Sequence, residues 1–160
     1  MTGRLQAYAV TASATLTTNP VDLLTLLSSD GSKLRIREVR LGLTSSALGD
    51  LQGLPVEFWR GSTGSPAGGA VTPVPLQGHS AEPAANFAAN GPSSAVISTT
   101  SAVRLFADTL DDSGLSYCPD DCLAPVIDIN QRFHVRLGAP SAGVTVYAYA
   151  VVEQLGRIPL

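Results

Sequence analysis

The sequence predicts an all-β protein, an antiparallel β-sandwich or jelly roll with at most one short helix. Apolar residues recur at every second position in most segments between turns, which is the period of a half-buried strand. Turn sequences such as SSDG, DDSG and GAPSAG separate about eight of these segments. Because no helical segment is long enough to connect parallel strands, the strands are expected to pair antiparallel.

Two long alternating segments lie near the two ends of the sequence. The first, QAYAVTASATLT, places Tyr8, Val10 and Leu16 on one face and mostly polar residues on the other. The second, VTVYAYAVV, carries apolar or aromatic residues on both faces, so it predicts a central strand or one at an interface. Terminal strands of a jelly roll commonly lie side by side, and we expect these two segments to pair.

The segment KLRIREVRLGL changes the phase of its alternation partway along. Leu34 and Ile36 follow one phase, whereas Val39 and Leu41 follow the other. One extra residue would keep both sets on the buried face, so we predict a β-bulge near Arg37–Glu38. Further strands are predicted at Pro55–Arg60, Ala70–Leu76, Ala102–Ala107, Val126–Ile129 and Arg132–Leu137.

The segment NPVDLLTLLSSDG is compatible with a short helix or with a strand. Asn19 suits the N-cap position and Pro20 suits the first helical position. The alternative is an extended strand with Val21, Leu23 and Leu27 directed inward. Both alternatives leave the fold class unchanged.

The stretch RGSTGSPAGGAVTPVP is rich in glycine but lacks the context of a phosphate loop. Such a loop leads into a helix and usually contains a lysine. Here no lysine is present, and Pro73 and Pro75 exclude a helix interior. The loop therefore joins two strands, and the second is an edge or polyproline-like strand with Val74 on one side.

Composition restricts the class of partner. A net charge of -3 gives no electrostatic footprint for nucleic acid, and no apolar run approaches the roughly 20 residues that span a membrane. The N-terminal residues do not have the pattern of a secretory signal, which favours synthesis in the cytoplasm. Only 14% of the residues are charged, and extensive protein contact would explain this low content. We expect one domain over residues 1–160.

No catalytic residue, metal site or cofactor is predicted, so we expect that the protein is not an enzyme. His79 and His134 have no nucleophile elbow or other catalytic signature around them. The segment CPDDC has three interpretations: two free thiols, a disulfide between Cys118 and Cys122, or a metal site that includes His134. Free thiols are favoured, because the second close pair of metal ligands is missing and cytoplasmic synthesis disfavours disulfides.

The order of these segments resembles that of small jelly-roll proteins that decorate the capsids of tailed bacteriophages. The residues that carry the resemblance lie between Asp22 and Gly156, in DLLTLLSSDGSKLRIREVRLGLTSS, PVEFWRGSTGSPAGGAVTPVPLQGHSAEPAANF, FHVRL and VTVYAYAVVEQLG. The most telling piece is WRG followed by the Gly/Ser loop and VTPVPLQG. The resemblance implies a cement protein on the outer surface of the virion, made in the cytoplasm of a bacterial host, that reinforces contacts between major capsid proteins.

Two sets of contact residues are expected for such a protein. A homotrimer would be held through the outer face of VTVYAYAVV, at Tyr147, Tyr149 and Val151. The capsid would be contacted by the loops Gly61–Gly69 and Ala81–Ser94, at Gly61, Ser65, Gly69, Pro83, Asn86 and Pro92. Residues 157–160 are expected to form a short tail that reaches a neighbouring subunit.

An alternative function is host recognition by a module of a tail fibre or baseplate. In that case Trp59 and Asp111 would bind a surface glycan, since an exposed aromatic ring can stack on a sugar. A lone tryptophan more often anchors a core or its rim. The number of copies per particle separates the two functions, because a decoration protein occupies the whole shell.

Overall fold

A computed structural model describes residues 6–28, 32–44, 53–62, 64, 66–76, 87–111, 113–138 and 143–155. These residues form strands and turns, with no helix among them. The strands are β1 (Gln6–Thr15), β2 (Val21–Ser28), β3 (Lys33–Thr44), β4 (Leu54–Ser62), β5 (Ala70–Val71), β6 (Val74–Pro75), β7 (Phe87–Asn90), β8 (Val103–Leu110), β9 (Leu115–Tyr117), β10 (Val126–Ile127), β11 (Arg132–Leu137) and β12 (Thr145–Leu155).

The strands form two antiparallel sheets that pack face to face. The front sheet has the order β10-β3-β12-β1-β6, and β9 pairs with β3 beside β10. The back sheet has the order β5-β7-β2-β11-β4-β8. Eight of these strands, in the orders β1-β12-β3-β9 and β2-β11-β4-β8, have the connectivity of a jelly roll. The predicted all-β sandwich is therefore confirmed.

The front sheet is organised around β12, which lies between β1 and β3. The predicted pairing of the terminal segments is confirmed, because β1 and β12 pair along ten consecutive positions. The predicted bulge is also confirmed. Val151 lies opposite Glu38 and Val152 lies opposite Ile36, so Arg37 is the extra residue. This extra residue keeps Ile36 and Val39 together in the core.

Residues 21–28 form the strand β2, so the helix alternative is wrong. Val21 and Leu23 lie in the core, as the strand alternative predicts, but Leu27 is only half-buried. Leu24 and Leu26 are fully buried instead. The alternation changes phase because the pairing of β2 with β11 has a register shift beside Leu23.

The long connection between β4 and β8, residues 63–102, is named the strap. It contains β6, which pairs with the edge strand β1, and β5 and β7, which extend the back sheet beyond β2. The strap therefore closes one side of the sandwich, where the rings of Tyr8 and Phe87 meet edge to face at 5.5 Å between centroids. The predicted strand at Ala70–Leu76 is present as two short pieces, β5 and β6, and Val74 at this edge is 59% exposed.

The strand β8 forms the opposite edge of the back sheet. Its pairing with β4 contains a register shift between Phe58 and Trp59, and its exposed residues include Arg104 and Asp108. A bulge and edge charges discourage pairing of β8 with another strand, and Pro75 does the same at β6, an edge of the front sheet. Edge-to-edge association is therefore disfavoured at these two edges.

Phe58 lies at the centre of the core, and its replacement tests the packing described above. Its ring stacks on Phe106 at 4.9 Å and also meets Tyr117 and Phe133. We expect Phe58→Ala to lower the free energy of unfolding by about 3–5 kcal/mol in urea titrations, because it leaves a cavity. The control Val103→Ala changes an exposed residue and should cost no more than about 0.5 kcal/mol. A loss below about 1.5 kcal/mol for Phe58→Ala would contradict this packing.

Candidate interaction surfaces

The outer face of the front sheet carries the three residues predicted to form an oligomer interface. Tyr147, Tyr149 and Val151 alternate along β12 with residues buried in the core, so all three side chains point away from the back sheet. Tyr147 is 47% exposed, and the other two are half-buried. The structure thus brings the predicted interface residues together on one accessible face.

A shallow depression of about 680 Å³ lies beside the two tyrosines. Tyr147 is directly opposite Gly42 on β3, and Tyr149 is opposite Arg40. A Cβ atom added to Gly42 would meet nothing within 4 Å, so this glycine leaves open space in the sheet surface. The depression is lined by Thr11, Ala12, Ser13, Arg40, Leu41, Gly42, Val71, Pro92, Tyr147, Ala148 and Tyr149. An apolar and aromatic surface of this kind suits a protein contact.

The charged groups of this face are paired with one another. Arg40 donates to Glu38, and Glu153 lies 3.5 Å from both Arg35 and Arg37. Paired charges leave little net field on the face, so a second uncharged or self-paired surface can approach without strong repulsion.

The strap and the adjoining end of β4 carry the residues predicted to contact the capsid, and three of them lie within the described residues. Gly61, the second-last residue of β4, has a left-handed conformation with a φ of 87°, and Gly69 and Pro92 in the strap are exposed. The structure brings the two predicted loops together, because the backbone N–H of Gly91 donates to the carbonyl of Gly69 at 2.7 Å. Ser65, Pro83 and Asn86 lie outside the described residues.

Two glycines of the first loop differ sharply in the space around them. A Cβ atom on Gly68 would lie 2.1 Å from the carbonyl oxygen of Gly91, so only glycine fits there. The adjacent Gly69 would meet nothing within 4 Å. Asn90 fixes the junction from β7, because its side-chain amide donates to the carbonyl of Gly68 at 2.8 Å.

The strap is nearly free of charged side chains. The prediction of the capsid-contacting loops did not use this feature. Of the 10 basic and 13 acidic side chains in the chain, these 40 residues contain one, Glu82. Exposed surface without charge is unusual, because charged residues are the ones most often found at the surface. The distribution of charge along the sequence could have indicated this segment as a contact surface.

Asp22 and Arg136 hold the strap against the back sheet. Arg136 donates to both carboxylate oxygens of Asp22, at 2.8 and 3.2 Å, and to the carbonyl of Ile97 at 2.5 Å. The carboxylate of Asp22 accepts the backbone N–H of Ile97 at 2.7 Å. The ion pair and the backbone of Ile97, named the latch, fix the strap at one point over the outer face of the back sheet. The sequence analysis predicted a strand over Arg132–Leu137 but did not predict the pairing of Arg136 with Asp22.

His134 lies on the same outer face and is fully buried. It stands opposite Thr25 on β2 and Trp59 on β4. The pKa of His134 is lowered from 6.5 to about 4. Burial is the main cause and Arg136 contributes to the decrease, while Asp22 and Glu57 oppose it. The imidazole is therefore neutral at pH 7.

The CPDDC segment lies at the front sheet, beside the bulge in β3. Arg37 contacts Asp121 at 2.5 Å, and the backbone N–H of Ala124 donates to the carbonyl of Asp120 at 2.9 Å. Cys118 and Cys122 are both exposed and free in this structure. Within the described ranges, no group of three His, Cys, Asp or Glu side chains could hold a metal ion, which leaves the metal interpretation with His134 unsupported.

The two residues proposed for glycan binding lie far apart. Trp59 is half-buried on the outer face of the back sheet, where its indole N–H donates to Glu57 at 2.9 Å. Asp111 follows β8 at the level of Gly53, six residues from Trp59 along β4, which corresponds to about 20 Å. Asp111 instead accepts hydrogen bonds from Ser113, which lower the pKa of its carboxyl group.

No family model matches this chain, and no curated protein or solved structure is significantly similar to it. Among the residues described, no helix is long and apolar enough to cross a membrane. Function must therefore be argued from the surfaces themselves and from the sequence resemblance.

Burial of a neutral histidine predicts a loss of stability in acid. Between pH 6.5 and about 4, the unfolded chain binds a proton at His134 and the folded chain does not. The free energy of unfolding should therefore fall by up to about 3 kcal/mol as the pH is lowered through this range. Urea titrations of the wild type and His134→Gln check this, because the variant lacks the titrating group and should show a flatter profile there. Parallel profiles from pH 6.5 to 4 would contradict it.

Proposed function

We propose that this protein is a structural virion protein that decorates and reinforces the capsid of a tailed bacteriophage. The observation that carries the proposal is the exposed strap, whose described residues contain no charged side chain. The resemblance of the segments from Asp22 to Gly156 to capsid decoration proteins supports the proposal, and the jelly-roll fold is compatible with it. The protein acts without a cofactor, is not an enzyme, and has no nucleic acid or membrane as a partner. It is made in the cytoplasm of the bacterial host and resides on the capsid surface.

The strap is the proposed contact with the major capsid protein. Gly69, Pro92 and the neighbouring exposed residues are small and uncharged, so their surface can follow a neighbouring protein closely without a fixed charge partner. A contact of about 1,600 Å² is typical of specific complexes, although its area does not fix its affinity. Many copies on a closed shell act together, so each contact can be modest.

The outer face of the front sheet is the proposed contact between copies, which we expect to form a homotrimer. Tyr147, Tyr149 and Val151 give that face its apolar and aromatic character. The edge strands β6 and β8 are protected against strand pairing, which favours association through faces and loops. Tyrosine suits such a contact, because it buries a large area while its hydroxyl still finds a partner.

The shell contact can be tested by placing a charge on the strap. Gly69→Arg should preserve the fold, because open space surrounds its Cβ position, and should weaken binding to undecorated shells by on the order of tenfold or more. Thr17→Arg places the same charge on an exposed residue outside the strap and should bind normally. Wild-type binding should change little between low and high salt.

Particle heating gives the functional readout for the same variants. Shells that carry the wild-type protein or Thr17→Arg should rupture at a higher temperature than bare shells, and shells treated with Gly69→Arg should rupture like bare shells. Equal rupture temperatures for bare and decorated shells would refute the cementing function.

The contact between copies can be tested by removing both rings. The double variant Tyr147→Ser, Tyr149→Ser should remain folded but sediment as a monomer, because the apolar area of the interface is lost. Val103→Ser removes an exposed apolar side chain from β8 and should leave the oligomer intact. A wild-type protein that sediments as a monomer at high micromolar concentration, and shows no contact between copies on particles, would contradict this interface.

A host-recognition module that binds a glycan remains the second candidate, although Trp59 and Asp111 lie too far apart to contact the same sugar ring. Densitometry of purified particles separates the two functions. A decoration protein should be present in numbers comparable to the capsid protein, and a tail module in far smaller numbers.

A further inference from the structure

The strap crosses the outer face of the back sheet twice. Its return part, named the return leg, is residues 93–102. Ser93 pairs with Asp22 of β2, and Val103 begins β8 on the far side of β4. Because the order is β2-β11-β4-β8, the return leg must pass over β11 and β4. The outgoing part passes the same face, because Gly64 contacts Ile97 so closely that an added Cβ would lie 2.8 Å from its side chain.

The hydrogen bonds between the return leg and the back sheet converge on the latch. Asp22 and Ser93 exchange two backbone hydrogen bonds of 3.0 Å, and Ile97 is held through its N–H by Asp22 and through its carbonyl by Arg136. Further hydrogen bonds join Ser93 to Ala95 within the leg. The buried ion pair and the two backbone hydrogen bonds of Ser93 therefore hold the return leg on the back sheet.

The latch lies close to the proposed shell contact in both directions along the chain. Gly64 is five residues before Gly69, and Ile97 is five residues after Pro92. The two legs meet at Ile97 and meet again where Gly91 bonds to Gly69. A displacement of Ile97 would therefore move both halves of the contact surface.

We propose that Asp22 and Arg136 are positioning residues for the shell-contacting surface, and that breaking their ion pair releases the return leg while the jelly roll stays folded. The identity of the partner rests on the proposed function, whereas the release of the return leg does not. The two side chains point away from the sandwich core, since Val135 and Leu137 on either side of Arg136 are the core residues. The core cluster contains no residue of the return leg, so its release leaves the contacts between the sheets in place.

Other charged and titratable groups lie on the same face as the latch. His134 lies two residues from Arg136, and Arg132 lies two residues further along β11. Asp22 faces His134 from β2, and Glu57 faces it from β4, where Arg104 and Trp59 already engage that carboxylate. His134 is neutral at pH 7, so it places no charge beside the ion pair.

Hydrogen exchange on the free protein tests whether the ion pair holds the return leg, and this test needs no shell. Asp22→Asn keeps the shape of the side chain and removes its charge, and it should speed exchange of the Ile97 amide by on the order of 100-fold, because a buried charge loses its partner. Core amides of β11 and β12 should change far less. Glu57→Gln removes a carboxylate from the same face without touching Ile97, and it should leave the return leg unchanged.

A second variant keeps the inference testable if Asp22→Asn does not fold. Gly64→Ala pushes against Ile97 without altering the ion pair, and it should also speed exchange in the return leg. Unchanged exchange at Ile97, or an equal rise in the core strands, would overturn the inference. Shell binding is then measured separately: loosened variants that bind shells as well as the wild type would refute the positioning function, whereas wild-type protein that binds no shell would refute only the proposed function.

Discussion

One buried ion pair, between Asp22 and Arg136, determines how the longest connection of this fold is arranged. Burial of two charges is unfavourable unless each finds well-placed partners, and here the backbone of Ile97 supplies them. The strap has almost no charge of its own, so it cannot be held by surface ion pairs. The path of its return leg over the back sheet therefore depends on this ion pair, on the backbone pairing of Ser93 with Asp22 and on the packing of Ile97.

The strand β2 has a feature that the sequence could not resolve. It is buried at nearly every position, and the strap covers Asp22 on its outer side. The register shift beside Leu23 changes the phase of the alternation, so the leucine-rich segment has no continuous period of two and also fits a short helix. The shift arises in the pairing with β11, which lies far away in the chain, so no local pattern could have shown it.

Other parts of the fold follow from local patterns. The bulge at Arg37 was visible as a change of phase, and the pairing of β1 with β12 followed from two similar alternating segments. The short strands β7 and β9 were missed because their three or four residues show no period. The latch was missed because 114 residues separate Asp22 from Arg136. By contrast, the three outward residues of β12 were placed correctly, since alternation alone assigns them to one face.

The central place of β12 has a consequence for how the chain acquires its structure. This strand is synthesised after the other strands described, yet it fills the position between β1 and β3. Until β12 emerges from the ribosome, β1 and β3 cannot join into one sheet, because each pairs with β12 and not with the other. Pairings as distant as Gln6 with Gln154 slow folding, because the chain loses the entropy of closing a long loop before the new contacts stabilise it. The front sheet is therefore completed only after β12 is synthesised. A nascent chain interrupted before β12 would leave β1 and β3 with unpaired edges, which are prone to aggregation and to chaperone binding.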